Sequence, residues 1–206
     1  RGILENAVEY RVYVRKCVQE KEVPPELEYL PVVESGYKTA VRSKSGAIGM
    51  WQFMANSVKP FLKLNEYVDE RYDPWLSTQA GIAKLQDNYR IFNDWLIAIA
   101  AYNCGNGKMR KTIRKAGTSD YWELVEKKAL PRQTAEYIPK LIAIADLSEN
   151  YEKYGIDLPR HEKEFEELVN ERDAVFDYVS VKKPYMISAI AKESGISEKE
   201  LKHLNP

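Results

Sequence analysis

The sequence predicts a mainly α-helical domain over residues 1–154, followed by a small strand-helix-helix appendage over 155–206. Three observations predict it. Up to Tyr154 no stretch makes a convincing strand. Proline and Asx residues recur where helices should begin. One segment, WLIAIAAYN at 95–103, is apolar on all sides, as a helix enclosed by other helices is.

Taken in order, residues 3–20 carry apolar side chains with no breaker and read as a first helix packed on the core. Pro24 and Pro25 stop it and start a second helix over about 25–36. Pro31 removes one backbone hydrogen bond from that helix and should bend it just before Glu34, or else divide it into two short turns. Ile48 to Met54 and Ser57 to Leu64 read as short helices, the second with Asn56 as N-cap and Pro60 in its first turn. Asp73 and Pro74 cap and open a long helix to about Phe92, and Asp94 caps the buried segment that follows. Gly105 and Gly107 end that segment. Residues 108–116 and 120–128 give two more short helices, with Trp122 expected to cover core. The last long helix runs from Ala135 to about Tyr154, with Tyr137 and Pro139 in its first turn. Beyond Gly155 a charged segment leads to AVFDYVSV at 174–181, whose alternation and β-branched residues suggest a strand, and Pro184 and Ser197 introduce two short amphipathic helices.

Composition removes several function classes. Thirty-one basic residues balance thirty-one acidic ones, which gives no charge argument for nucleic acid or an anionic membrane as partner. The longest apolar run, Leu96 to Tyr102, is too short to span a bilayer. The chain begins at Arg1, so the lack of a targeting segment says nothing about compartment. Cys17 and Cys104 are too few for a disulfide framework and lack metal-ligand spacing; each is expected to be a small buried hydrophobe. His161 and His203 stand far from any acid-plus-nucleophile pattern, which argues against a Ser-His-Asp triad or a zinc site.

The stretch from Glu34 to Asn56 carries the chemistry. Glu34 ends an apolar segment containing Leu27, Leu30, Val32 and Val33. A carboxyl group against an apolar wall is harder to ionise, which is how a Glu becomes a proton donor near neutral pH. The hydroxyls of Ser43 and Ser45 and the amide of Gln52 follow, among the glycines Gly46 and Gly49, with Tyr37, Trp51 and Phe53 close in sequence. An acid, a polar loop and aromatic side chains suit a sugar-cleaving site. Taken alone, such a Glu is more often a helix end followed by a turn. Tyr102 and Asn103 end the buried helix, a place from which side chains enter a cleft, although a core tyrosine whose hydroxyl is satisfied fits Tyr102 as well.

From about Val23 to Leu147 the chain resembles the lytic transglycosylase catalytic (SLT) domain, a lysozyme-like fold, in its membrane-bound murein transglycosylase variety. The resemblance is carried by Glu34-Ser35, the GxxGxxQ pattern of Gly46, Gly49 and Gln52, Ala101-Tyr102-Asn103 with Gly105, and Tyr137-Ile138-Pro139-Lys140. It departs at Ala55-Asn56-Ser57, where relatives often have Pro-Ala-Thr, and at Cys104, where alanine is usual. The tail from Phe176 to Pro206 resembles the region after the catalytic domain in the same family, and distantly one arm of a LysM glycan-binding module.

The resemblance implies Glu34 as the catalytic acid, acting first as acid and then as base on the β-1,4 bond between N-acetylmuramic acid and N-acetylglucosamine. It implies 1,6-anhydro ends as product. It further implies that Ser43 and Ser45 orient Glu34 or hold the sugar, that Gln52 and Asn103 hydrogen-bond the saccharide, and that Tyr102 and Tyr137 line the cleft. Tyr37 and Trp51 are candidates for stacking on sugar faces, with packing in the core an equal reading for Trp51. No metal or organic cofactor is implied. The expected partner is the peptidoglycan glycan strand, met in the periplasm or cell envelope by a monomer, with a membrane anchor possible outside this stretch. The rival hydrolase reading, on the goose-type pattern, needs a second acid such as Asp69, Glu70 or Asp73; a rival of another class is a catalytically silent wall-binding protein.

Overall fold

The structure, a computed structural model, describes residues 8–156, 179, 181 and 183–205. The described residues form helices and turns, with only isolated antiparallel bridges and no strand. The first helix, α1 (Val8–Glu20), leads through a 3-10 turn (Pro25–Tyr29) to the short α2 (Leu30–Ser35). The anticipated helix over 25–36 is therefore two elements, with Pro31 in the first turn of the second rather than at a bend. Proline costs nothing there, because a first-turn N–H has no intrahelical partner.

Asp73 and Asp94 do what the sequence implies. The Asp73 carboxylate accepts from the N–H groups of Trp75 and Leu76 at the start of α3 (Pro74–Phe92), and Asp94 accepts from Ile97 at the start of α4 (Trp95–Cys104). From Ile97 to Tyr102 every residue of α4 is buried. Its alanines let α3 lie close, and the buried Asn88 donates across the contact to the carbonyl of Ala98 at 3.0 Å. On the outer side α1 lies on α3, with Tyr10 and Tyr13 packed on the Trp75 ring.

Among the described residues the remaining α-helices are α5 (Asn106–Ala116), α6 (Tyr121–Glu126), α7 (Arg132–Glu149), α8 (Ile187–Ser194) and α9 (Glu198–Leu204). Trp122, expected over the core, is 45% exposed; its neighbour Tyr121 is buried instead. Helix α7 starts three residues earlier than predicted, which puts Pro139 in its interior. Proline cannot donate to the carbonyl four residues back, that of Ala135. The Tyr121 hydroxyl donates to this carbonyl at 2.9 Å, so a residue on another helix supplies the missing bond.

A buried ion cluster ties α1 to the turn before α2. Arg11 Nε donates to Glu28 Oε1 at 2.6 Å, and Arg15 Nε donates to Glu28 Oε2 at 2.5 Å. Both Cys17 and Cys104 are free thiols, the first buried and the second half-buried. The strand expected over 174–181 lies mostly outside the described residues, whereas the two following helices are present and Ser197 caps the second.

Two further expectations fail between residues 48 and 64. Instead of a helix over Ile48 to Met54, Ile48 and Phe53 exchange backbone hydrogen bonds at 3.1 and 3.0 Å around a tight turn. Gly49 (φ 81°) and Gln52 (φ 49°) occupy left-handed backbone conformations that no α-helix contains. A Cβ on Gly49 would lie 1.8 Å from the Arg71 carbonyl oxygen, so the glycine also admits a close chain approach. Over 57–64 there is only a 3-10 turn (Ala55–Ser57) and a turn closed at Val58 around a cis Lys59-Pro60 peptide; Asn56 lies within the 3-10 turn and caps nothing.

Candidate active site

Glu34 stands in the last turn of α2, which Gly36 ends in the left-handed conformation (φ 64°). The Ser35 hydroxyl donates to the Met50 carbonyl at 2.9 Å, which pins the end of this helix to the 48–53 turn. Tyr137, from the first turns of α7, donates its hydroxyl to Glu34 Oε1. Lys84 of α3 and Tyr102 of α4 also interact electrostatically with Glu34. Four elements distant in sequence thus meet at one carboxyl group.

Burial pushes the Glu34 carboxyl from 4.5 up to about 7, against the opposing pull of the Tyr137 hydrogen bond and the Lys84 charge. Desolvation wins because removing a carboxylate from water costs more than one hydroxyl and one ammonium return. The carboxyl group is then close to half-ionised at neutral pH, a state from which a side chain can either give or take a proton.

The other sequence-predicted residues divide. Tyr137 is buried and donates to Glu34. Tyr102 is close by but spends its hydroxyl on the Trp51 carbonyl at 2.9 Å, and its ring meets Phe53 edge-on; it is a wall of the site rather than a donor to it. Asn103 accepts from Thr134 Oγ1 at 2.9 Å, which leaves its amide N–H groups without a partner among the described residues. Gln52 donates to the Gly49 carbonyl at 2.8 Å and so holds its own turn. Ser43 and Ser45 bond to each other at 3.0 Å, and Ser43 also accepts from the Ala47 N–H; orientation of Glu34 falls to Tyr137 and not to them.

Tyr37 is a correction. It is 2% exposed and donates to the Glu28 carbonyl at 2.6 Å, so it belongs to the core and cannot stack on a ligand. Trp51 is also core: it is fully buried, donates to Thr78 Oγ1 at 2.9 Å, and lies where a Cβ on Gly81 would come within 2.4 Å of its ring. Lys84 and Thr134 were missed. For Lys84 the signal existed, since it stands on the helical face of the buried Ala80, Gly81 and Leu85, where an ordinary surface lysine has no place. Thr134 gave none.

The three candidate second acids are all engaged elsewhere. Asp69 is ion-paired with Arg71 at 2.7 Å, Glu70 accepts from the Lys63 N–H at 2.5 Å, and Asp73 caps α3. Among the described residues no group of His, Cys, Asp and Glu side chains could hold a metal ion, and no helix is long and apolar enough to cross a membrane.

Residues 13–125, more than half of the chain, match the Transglycosylase SLT domain family. The chain belongs to that family. Over 202 residues it is 30% identical to membrane-bound lytic murein transglycosylase D of Escherichia coli K12, an alignment that takes in 95% of this chain and 42% of the relative. The chain thus spans less than half the length of that relative. Among solved structures, an inactive mutant of the lytic transglycosylase Slt of Pseudomonas aeruginosa superposes with a TM-score of 0.58 at 19% identity, covering 74% of this chain and 26% of that one. The 70 kDa soluble lytic transglycosylase of Escherichia coli gives 0.52 at 27% identity, covering 64% and 22%.

Proposed function

We propose that the chain is a peptidoglycan lytic transglycosylase, with residues 1–154 as the catalytic domain and 155–206 as an accessory segment. The observation that carries the reading is a single carboxyl group, raised to about 7 by burial, on which a hydroxyl and an ammonium act and, among the described residues, no second carboxylate does. Glycosidases that admit water, or that form an enzyme-bound sugar, use two carboxyl groups. A substrate that supplies its own nucleophile needs one.

In the first step protonated Glu34 gives its proton to the glycosidic oxygen, and the bond between that oxygen and C1 of N-acetylmuramic acid breaks, with the muramoyl N-acetyl group stabilising C1. In the second, the ionised Glu34 takes the proton of the C6 hydroxyl as O6 bonds to C1. A 1,6-anhydromuramoyl end and a free N-acetylglucosamine hydroxyl result, and no water is consumed. Tyr137 keeps one oxygen of Glu34 fixed so that the other faces the bond. The free N–H groups of Asn103 would bind the saccharide, and Ser43 and Ser45 would meet it at the rim of the turn. The name of the Escherichia coli K12 relative includes murein and membrane attachment, and peptidoglycan as substrate would put the protein in the cell envelope.

Digestion of purified peptidoglycan followed by mass spectrometry tests this. Anhydro ends are expected, and their disappearance in Glu34→Gln with binding to sacculi retained. Reducing ends would establish a hydrolase instead, and retention of glycan with no soluble product from the unaltered protein would establish a binding protein.

A further inference from the structure

In α3, Gly81 and Lys84 are one turn apart and share a face. Gly81 lets the Trp51 ring press against the helix, and this brings Lys84 over the next two rings of the same wall. Lys84 Nζ lies 5.0 Å from the Phe53 centroid and 4.8 Å from that of Tyr102. A partly buried ammonium is ordinarily matched by a carboxylate at contact distance. No ion pair to Lys84 is found among the described residues, and the negative group it acts upon is Glu34. Two aromatic faces take the place of a salt bridge and hold the charge beside the acid without quenching it.

We propose that Lys84 is an electrostatic positioning residue for Glu34, a fixed positive charge seated on Phe53 and Tyr102 that stabilises the carboxylate formed when Glu34 gives up its proton. The inference rests on Glu34 being the acid. Burial by itself makes Glu34 a reluctant donor, because a carboxylate would appear in a site with little water. A preorganised cation where negative charge develops lowers the cost of that step without reorganisation. The groups that act on Glu34 are Tyr137 from α7 and Lys84 from α3, while Tyr102 from α4 is turned away toward the Trp51 carbonyl. Tyr137 fixes direction and Lys84 supplies charge. The coupling is mutual: burial lowers the proton affinity of Lys84, and Glu34 raises it.

The test is a carboxyl ¹³C NMR titration of the glutamate-labelled protein, with the Glu34 signal assigned by its loss in Glu34→Gln. It compares the wild type with Lys84→Met, which preserves length and contact with the rings, and Lys84→Arg, which preserves charge. In Lys84→Met the Glu34 midpoint is expected to rise by about one pH unit, a roughly tenfold gain in proton affinity. The alkaline limb of turnover on peptidoglycan should move with it, and Lys84→Arg should stay near the wild type. An unchanged midpoint in Lys84→Met, or an equal shift in Lys84→Arg, overturns the proposal, since a purely structural lysine would not move this titration selectively. A shifted midpoint with an unmoved rate profile upholds the coupling and overturns the assignment of Glu34 as the acid. Should Lys84→Met fail to fold, the reciprocal measurement decides: the Lys84 side-chain NMR midpoint should fall in Glu34→Gln, and constancy there overturns the coupling.

Discussion

Replacing Glu34 by Gln should make the protein more stable in mild alkali while leaving its stability in acid nearly unchanged. The folded protein holds the Glu34 proton up to about 7, whereas the unfolded chain releases it near 4.5. Between these values the folded state binds more protons, so stability falls as pH rises through the interval and levels off above it. At about 1.4 kcal/mol for each pH unit, the interval corresponds to about 3 kcal/mol. Screening at the partly exposed side of the group reduces this to about 2 kcal/mol. Gln has the shape of the protonated acid and accepts the Tyr137 hydrogen bond, yet never has to ionise in a dry site. Urea denaturation of both proteins at about pH 4 and about pH 8 reads the effect, and the difference between them cancels the titrating groups that do not interact with Glu34. The expected difference is close to zero at the lower pH and about 2 kcal/mol in favour of Glu34→Gln at the higher. Equal stability at both pH values would refute the claim that burial raises this carboxyl group, and with it the account of how one residue serves as acid and base.

Two structural predictions follow from contacts that do not involve Glu34 itself. Glu28→Ala removes the buried carboxylate that accepts from both Arg11 and Arg15 and should cost about 3–5 kcal/mol in chemical denaturation; a loss below about 1 kcal/mol would mean that the cluster of Arg11, Arg15 and Glu28 contributes little. Gly49→Ala forces a Cβ to within 1.8 Å of the Arg71 carbonyl oxygen at a left-handed position, whereas Gly46, also left-handed (φ 89°), has nothing within 4 Å of such an atom. Gly49→Ala should therefore cost about 3 kcal/mol or more, and Gly46→Ala only the backbone cost of about 1–2 kcal/mol. Melting temperatures of the two variants give the comparison, and equal losses would contradict the close approach.

The sequence alone determined the helices that carry their own boundary signals. Asp73, Pro74 and Asp94 are local devices: an oxygen reaches an N–H two or three residues on, and no distant residue takes part. The uniform apolarity of 97–102 likewise implied an enclosed helix before any partner was known. Between residues 48 and 64 the outcome lies elsewhere. Gly49 is left-handed where the Arg71 backbone approaches, a contact more than twenty residues away, and so a stretch with passable helical spacing becomes a turn. Aromatic positions were ambiguous for the same reason, since composition cannot say whether Tyr37 or Trp122 points inward, and the answers were the reverse of those expected.

At the site, the sequence picked out Glu34 and Tyr137 but not the force between them. An apolar stretch before a Glu suggests desolvation; its extent depends on α3, α4 and α7 closing around one carboxyl group. Lys84 shows the limit most plainly. It is fifty residues from Glu34 in the chain, and only the packing of α3 against the Phe53 and Tyr102 rings sets it where it acts on the acid. Local hydrogen bonds are written in neighbouring residues; proton affinity is a property of the space that distant residues enclose.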